Sequence, residues 1–279
     1  ARRYGIRLMY ADLHLHTNFS DGTFTPEELV EHGQRVGLEI MALTDHDTMD
    51  GCTRMAVACK KCGVEFIPGC EFSVEHDGNE LHILGYYIDQ NNPILCAELK
   101  KYQRVRLNRI HEMVEKLNEN GMKIASEDVM KIVDFGSPGR PHIGRALVAL
   151  GYCQSLDESF RKWLKKGKPA WMPKMKMTAV DAIELIHEVG GLAVIAHPGL
   201  YHRDEVIPPL VKAGLDGIEC FYTRHSTSMT EHYLMIAEEY DLLVTGGSDC
   251  HGRNKGRPLI GSVKLPCDYV IKMKSAVAV

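Results

Sequence analysis

Apolar residues in the first ninety positions fall into short blocks, each followed by a polar turn and then by a stretch with helical spacing. "MYADLHLHT" reads as a strand. Thr25-Pro26-Glu27-Glu28 then opens a helix with an N-cap, a first-turn proline and a capping-box glutamate. "LEIMALTDHDT" is a second strand, "CTRMAVACKKCG" a second helix and "VEFIPGCEFSVEH" a third strand region. Asp77-Gly78-Asn79 predicts a hairpin turn into "ELHILGYYI". From about residue 93 the pattern becomes helical: "ILCAELKKYQRVRLNRIHEMVEKLNENG" is one long amphipathic helix ending at Gly121, with shorter helices through "GRPHIGRALVALGY" and "SLDESFRKWLKKG". The strand-helix rhythm resumes at Thr178, an N-cap for "AVDAIELIHEVGG". It continues through the strands "LAVIAHP", "DGIECFY" and "DLLVTGGSDCHG" and the helices "DEVIPPLVKAG" and "SMTEHYLMIAEEY". Repeated βα units of this length predict a parallel α/β barrel, and the helical middle reads as an insertion that caps its mouth. The boundaries expected are a barrel from residues 8–92 and 177–279 and a basic helical insertion from 93–176.

The chain has 279 residues, 44% hydrophobic and 25% charged, enough for one large domain or a barrel carrying an insertion. No apolar run spans a bilayer and the beginning lacks a signal-peptide core, so a cytoplasmic protein without membrane partners is expected. Nine cysteines at irregular spacing suit a reducing compartment, and the Cys59–Cys62 pair inside a helix, with no second such pair, reads as chance. The net charge of −4 hides an asymmetry: residues 98–176 carry 17 lysines and arginines against 9 acidic residues. Such a segment is either an anion-gathering surface or an ordinary solvated helical face.

Polar residues able to bind a metal cluster where strands end. His14 and His16 are two apart, so on a strand they share a face while Leu13 and Leu15 point the other way. One histidine in a strand is ordinarily a satisfied core residue; two on one face with Asp21 following point to a metal. Asp45, His46 and Asp47 follow the second strand, Glu71 lies in "PGCEFS", His82 in "ELHILGY" and His197 in "LAVIAHP". Asp249 and His251 close "GGSDCHG". In an α/β barrel the carboxyl ends of the strands converge on one mouth. Imidazole mixed with carboxylate and no thiolate suits Mn²⁺, Fe²⁺ or Zn²⁺, with Mn²⁺ placed first. Six histidines and three carboxylates exceed the needs of one ion, so two or three are expected, acidifying a bridging water and clamping phosphoryl oxygens. Ser248 and Cys250 have no general base paired with them in the sequence, and Cys250 reads as a buried spacer.

Together "DLHLHTNFSDG", "TDHDT", "PGCEFS", "LHILGY", "AHPG" and "GSDCHG" resemble the polymerase-and-histidinol-phosphatase (PHP) metal-dependent phosphoesterases, from about residue 10 to 262. The resemblance implies a distorted (β/α)7 PHP barrel with a trinuclear site. Position by position, the implied metal ligands are His14, His16, Asp21, His46, Glu71, His82, His197, Asp249 and His251. Asp21, His82 and His197 are assigned to catalysis, with Asp21 as the bridge between ions, while Asp45 and Asp47 match no ligand position and are expected to support or cap. The helical insertion most resembles the subgroup acting on nucleoside 3′,5′-bisphosphates and on short RNA from the 5′ end. Its substrate contacts correspond here to Arg106, Asn108 and Arg109 in "RLNR" and to Arg140 and His142 in "GRPHIGR". Arg106 and Arg109 are three apart and share a helix face, suited to gripping a 5′-phosphate. The subgroup often has an arginine directly after "AHPG"; this chain has Leu200 there, with Arg203 three residues on, and His225 is expected to be structural.

The expected reaction is hydrolysis of the 3′-phosphate of a nucleoside 3′,5′-bisphosphate, and of short single-stranded RNA, by a metal-bridging hydroxide. The alternatives are a histidinol-phosphate-type phosphomonoesterase, a non-catalytic polymerase-associated module and a metal-dependent amidohydrolase. No obligate protein partner is implied.

Overall fold

The computed structural model describes residues 9–133, 135–173, 177–254 and 256–277. In chain order the elements are β1 (Tyr10–Asp12), α1 (Pro26–Arg35), β2 (Leu38–Leu43), α2 (Cys52–Cys62), β3 (Glu65–His76), β4 (Asn79–Tyr86) and α3 (Pro93–Glu119). Then come α4 (Ser126–Met130), α5 (Arg140–Ala149), α6 (Leu156–Ser159) with a π-helical turn at Phe160–Leu164, and β5 (Met177–Thr178). The remainder is α7 (Ala179–Glu188), β6 (Leu192–Ile195), α8 (Ile207–Lys212), β7 (Gly217–Tyr222), α9 (Thr227–Glu239), β8 (Leu243–Gly247), β9 (Leu265–Pro266) and α10 (Cys267–Val277). Local chemistry sets several boundaries: Thr25 and Thr178 each accept from the third helical amide while Glu28 and Asp181 cap in return. Asp77 and Gly78, both at positive φ, make the tight turn between β3 and β4.

The main sheet runs β8-β7-β6-β4-β3-β2-β1, with β9 antiparallel to β1 at its end and β5 beside β3. β1, β2 and β3 are parallel, as are β6, β7 and β8, while β4 is antiparallel to both β3 and β6. The ends of this sheet meet. Leu13 N donates to Gly246 O, Asp249 N to His14 O and His16 N to Cys250 O, so seven strands close into a barrel irregular at one strand. Gly247 makes the seam possible, because a Cβ there would lie 2.3 Å from His14 Cβ.

The first strand is shorter than the sequence pattern predicts. Regular pairing stops at Asp12, after which side chains take over: Asp12 Oδ1 accepts from His14 N and Thr44 Oγ1 from Leu15 N. Strict alternation is lost, and Leu13 packs inside the barrel with Ala42, Leu84, Tyr86 and Val194, while Leu15 joins the core between sheet and outer helices.

The helical middle builds its own apolar cluster, in which Ile110, Met113, Val114 and Leu117 of α3 pack on Val129, Ile143, Leu147 and Leu164. Leu95 and Leu99, at the other end of α3, are buried in the barrel's outer core. One helix about 40 Å long is thus anchored in both bodies. No helix among the described residues is long and apolar enough to cross a membrane.

Candidate metal centre

Glu71 stands at the middle of the barrel mouth. Its Oε2 lies 3.3 Å from His14 Nε2, 3.1 Å from His16 Nε2 and 3.1 Å from His46 Nδ1. Its Oε1 lies 2.6 Å from His82 Nδ1 and 3.1 Å from His197 Nε2. Asp249 Oδ1 is 3.2 Å from His16 Nε2 and 3.3 Å from His251 Nδ1, and Asp21 Oδ1 is 3.1 Å from His251 Nε2. The strand ends therefore bring all nine candidate ligands together. Asp21, expected as a bridge between ions, lies beside His251 and His46; the carboxylate reaching five imidazoles is Glu71.

The ligand atoms fall into four overlapping groups, each within 4.8 Å: His16, Asp21, His46 and His251; His14, His16 and Asp249; His14, Glu71 and His197; and His46, Glu71 and His82. Shared residues link the groups, as a site for more than one ion requires. His14 Nε2, both nitrogens of His16, His46 Nδ1, Asp21 Oδ1 and Glu71 Oε2 are buried without a hydrogen-bond partner. Each such orphan costs about 1–3 kcal/mol when left unmade, and so many aimed at one spot fit divalent cations. Backbone geometry serves the same aim, since His197 and Asp249 both hold left-handed φ values just past their strands.

Burial opposes ionisation of Glu71 and Asp21, yet His46 and His82 around the first and His251 around the second hold both carboxyls well below the usual range. Burial also works against charge on His82 and His251, but Glu71 lifts the first to about 9, and Asp21 with Asp249 lift the second to about 10. Burial pushes His46 down to about 3. His82 and His251 thus favour the protonated form at neutral pH, and a cation held by them would have to displace those protons. Divalent-cation binding is expected to release protons and to tighten from about pH 6 to pH 8. Calorimetric titration in buffers of different ionisation enthalpy checks this; a binding heat independent of the buffer contradicts it.

Some supporting residues escape a reading of the sequence. Glu219, fully buried on β7, accepts from His14 Nδ1 at 3.0 Å and from His197 N at 2.7 Å, tying two candidate ligands to one carboxylate. The available signal was the lone acid in the apolar strand "GIECFY", since a buried charge needs partners. Tyr222 Oη donates to Asp249 Oδ2 at 2.9 Å. Asp45, by contrast, has the supporting role expected from the sequence, fastening the loop before Asp21 by accepting from Thr17 N at 2.7 Å and from the Thr17 and Ser20 hydroxyls.

A cleft opens beside the cluster, with Asp21, His46 and His82 on one side and Arg106, Arg109, Arg140 and Phe160 on the other. Arg106 is engaged at every nitrogen, donating from Nε to Asp47 at 2.6 Å, from Nη2 to Ser73 Oγ at 2.8 Å and from Nη1 to Pro138 O at 3.3 Å. Arg109 donates from Nε and Nη2 to Met172 O, and burial with the Arg140 charge nearby pushes it down to about 10. Arg140 lies 3.6 Å from Glu80 and over the Phe160 ring. His142 is buried behind this wall, its Nδ1 accepting from Gly139 N at 3.0 Å, and burial pushes it down to about 4. Asn108 is exposed on α3, turned about 200° from Arg106, and does not line the cleft. Nor does Arg203, which pairs with Glu205 at 2.8 Å. His225 bridges Cys220 O and Gly199 N and so supports the turn after His197. All nine cysteines are free, and Cys250 is fully buried.

Residues 12–145 match the sequence model of the family described as "PHP domain". The chain is similar to a 5′-3′ exoribonuclease of Haemophilus influenzae, 34% identical over 86% of this chain and 89% of that protein. It is 33% identical to a 3′,5′-nucleoside bisphosphate phosphatase of Chromobacterium violaceum over 90% of each. It is 32% identical to a phosphoribosyl 1,2-cyclic phosphate 1,2-diphosphodiesterase of Eggerthella lenta over 91% of this chain and 98% of that one. Among solved structures, a Bifidobacterium adolescentis protein assigned as a metal-dependent phosphoesterase superposes with a TM-score of 0.89, at 31% identity and 96% coverage of each chain.

Proposed function

This chain belongs to the PHP family, and from that premise we propose that it removes the 3′-phosphate of nucleoside 3′,5′-bisphosphates and shortens single-stranded RNA from the 5′ end. It is a phosphoric ester hydrolase of the metal-dependent kind. The observation that carries the substrate reading is the cleft in which three arginines face the histidine-carboxylate cluster. An anion with two phosphates fits that arrangement, one at the cluster and one at the arginines.

His14, His16, His46, His82, His197, His251, Asp21, Glu71 and Asp249 would hold the ions, with Mn²⁺ the ion proposed. Divalent ions there supply positive charge for phosphoryl oxygens and a water acidified towards neutral pH. The chain's own residues position the substrate. Arg109, whose Nη1 has no hydrogen-bond partner among the described residues, and Arg140 grip the 5′-phosphate, while Arg106, locked by Asp47 and Ser73, adds positive potential and holds α3 against the barrel. In this reading residues 8–92 and 177–279 hold the metals and 93–176 supply the grip. The free cysteines accord with a cytoplasmic site of action.

Purified, Mn²⁺-loaded protein is expected to convert adenosine 3′,5′-bisphosphate to AMP and phosphate and to leave histidinol phosphate intact. Hydrolysis of histidinol phosphate or of phosphoribosyl 1,2-cyclic phosphate in preference to the bisphosphate would overturn the reading. Arg109→Ala is expected to raise KM for the bisphosphate about tenfold or more, the worth of one charge-assisted hydrogen bond. Its KM for an aryl phosphate should stay nearly unchanged. Equal effects on both substrates would remove Arg109 from 5′-phosphate recognition.

A further inference from the structure

A second, shallower groove lies on the neighbouring face of α3, lined by Lys100, Gln103, Arg104, Leu107, Met130 and Gly136. Pro138 lines both this groove and the catalytic cleft, so the two meet across one residue. Lys100 and Arg104 lie one helical turn apart, about 6 Å along the axis. Both are exposed, and neither has an acidic partner among the described residues.

Beside Gly136 of the groove wall, Phe135 is 46% exposed and so presents part of its ring to solvent. One of its faces stacks on Phe19 with ring centroids 4.8 Å apart. Phe19 is two residues before Asp21, and the two loops are pinned together by Ser137 N donating to Phe19 O at 3.0 Å. Gly136 makes this approach possible, with φ at +61 and space so tight that a Cβ would sit 2.2 Å from Phe19 O. The exposed ring is therefore fixed at the edge of the cluster rather than carried on a free loop.

Cations on successive turns, without an acidic partner among the described residues, beside a rigid aromatic face make a surface for single-stranded nucleic acid, read through backbone charge and base stacking without sequence preference. We infer that this groove holds the nucleotides downstream of the scissile phosphate when the substrate is an RNA chain, with a base stacking on Phe135 and phosphates on Lys100 and Arg104. The inference rests on the proposed 5′-3′ reading and explains how one site serves both a mononucleotide and a polymer: the mononucleotide ends before the groove begins.

The test uses the full chain loaded with Mn²⁺, adenosine 3′,5′-bisphosphate, and a 5′-phosphorylated, 3′-fluorescein hexa-adenylate followed by cleavage and by anisotropy. Phe135→Ala and the double variant Lys100→Ala/Arg104→Ala should each lower kcat/KM for the hexamer about tenfold. The bisphosphate should be hydrolysed within about twofold of the parent rate, since the variants lie outside the cleft. The double variant should also flatten the salt dependence of hexamer binding. Parallel losses on both substrates, or none on either, would overturn the inference. If the parent protein hydrolyses the bisphosphate but does not bind the hexamer, the groove assignment fails and the phosphatase reading stands. If it binds the hexamer in a variant-sensitive way yet hydrolyses neither substrate, the groove stands and the phosphatase reading fails.

Discussion

Replacing Glu71 with glutamine is expected to cut turnover about a thousandfold, the equivalent of about 4 kcal/mol of lost transition-state stabilisation at a multi-ion site. Glu71 is the carboxylate shared by five imidazoles, and two of the four ligand groups contain it. Glutamine keeps the shape of the side chain and removes its charge, so the fold should survive while the cations lose their common anionic ligand. Metal content per chain by elemental analysis should fall along with kcat. A variant that kept full metal loading and full turnover would show that Glu71 does not join the ions. An Asp21→Asn variant gives an internal comparison, because Asp21 belongs to only one of the four groups and should release less metal.

The second large effect is expected at Glu219, which does not line the cleft and supports the cluster from behind. Its two oxygens accept from two donors, His14 Nδ1–H and the His197 amide. Accepting from Nδ1 fixes the ring so that Nε2 is the nitrogen turned towards Glu71 and the middle of the cluster. Glutamine offers one acceptor and one amide group that donates, so one of the two existing donors must face another donor in a fully buried site. Glu219→Gln is expected to weaken metal binding about 10–100-fold. At saturating metal kcat should largely recover, which separates positioning from chemistry. Unchanged metal affinity would reduce Glu219 to a packing role.

Much of this architecture is legible in the sequence because its signals are local. The Thr25 and Thr178 caps, the Asp77-Gly78 turn and the βα rhythm each depend on a few neighbouring residues. The polar residues at strand ends converge because barrel topology sends every parallel strand end to one mouth. What the sequence does not disclose depends on contacts across the chain. The early end of β1, and with it the parting of Leu13 from Leu15, follows from Asp12 and Thr44 capturing backbone amides. Arg106 and Arg109 share a helix face as their spacing predicts, yet only the tertiary structure shows Arg106 committed to Asp47 and Ser73. Asn108 was grouped with them by motif, but helical geometry turns it outward. Glu219 is visible in the sequence only as an anomaly, and becomes intelligible when His14 and His197 are seen to share it.

The seam that closes the barrel has a consequence in time. His14 O accepts from Asp249 N across the junction of the earliest and latest barrel strands, so the metal centre joins residues more than two hundred positions apart. A ribosome adding about 5–20 residues per second needs on the order of ten to fifty seconds between His14 and His251. Through that interval the growing chain carries imidazole and carboxylate side chains while two of the four candidate groups still lack Asp249 or His251. Completion of the candidate ligand set is therefore a late event of synthesis, coupled to the long-range closure that is the slowest kind of contact for a chain to make. A chain cut short before Asp249 loses two of the three seam hydrogen bonds and two candidate ligands at once, so one truncation strikes the barrel closure and the candidate metal centre together.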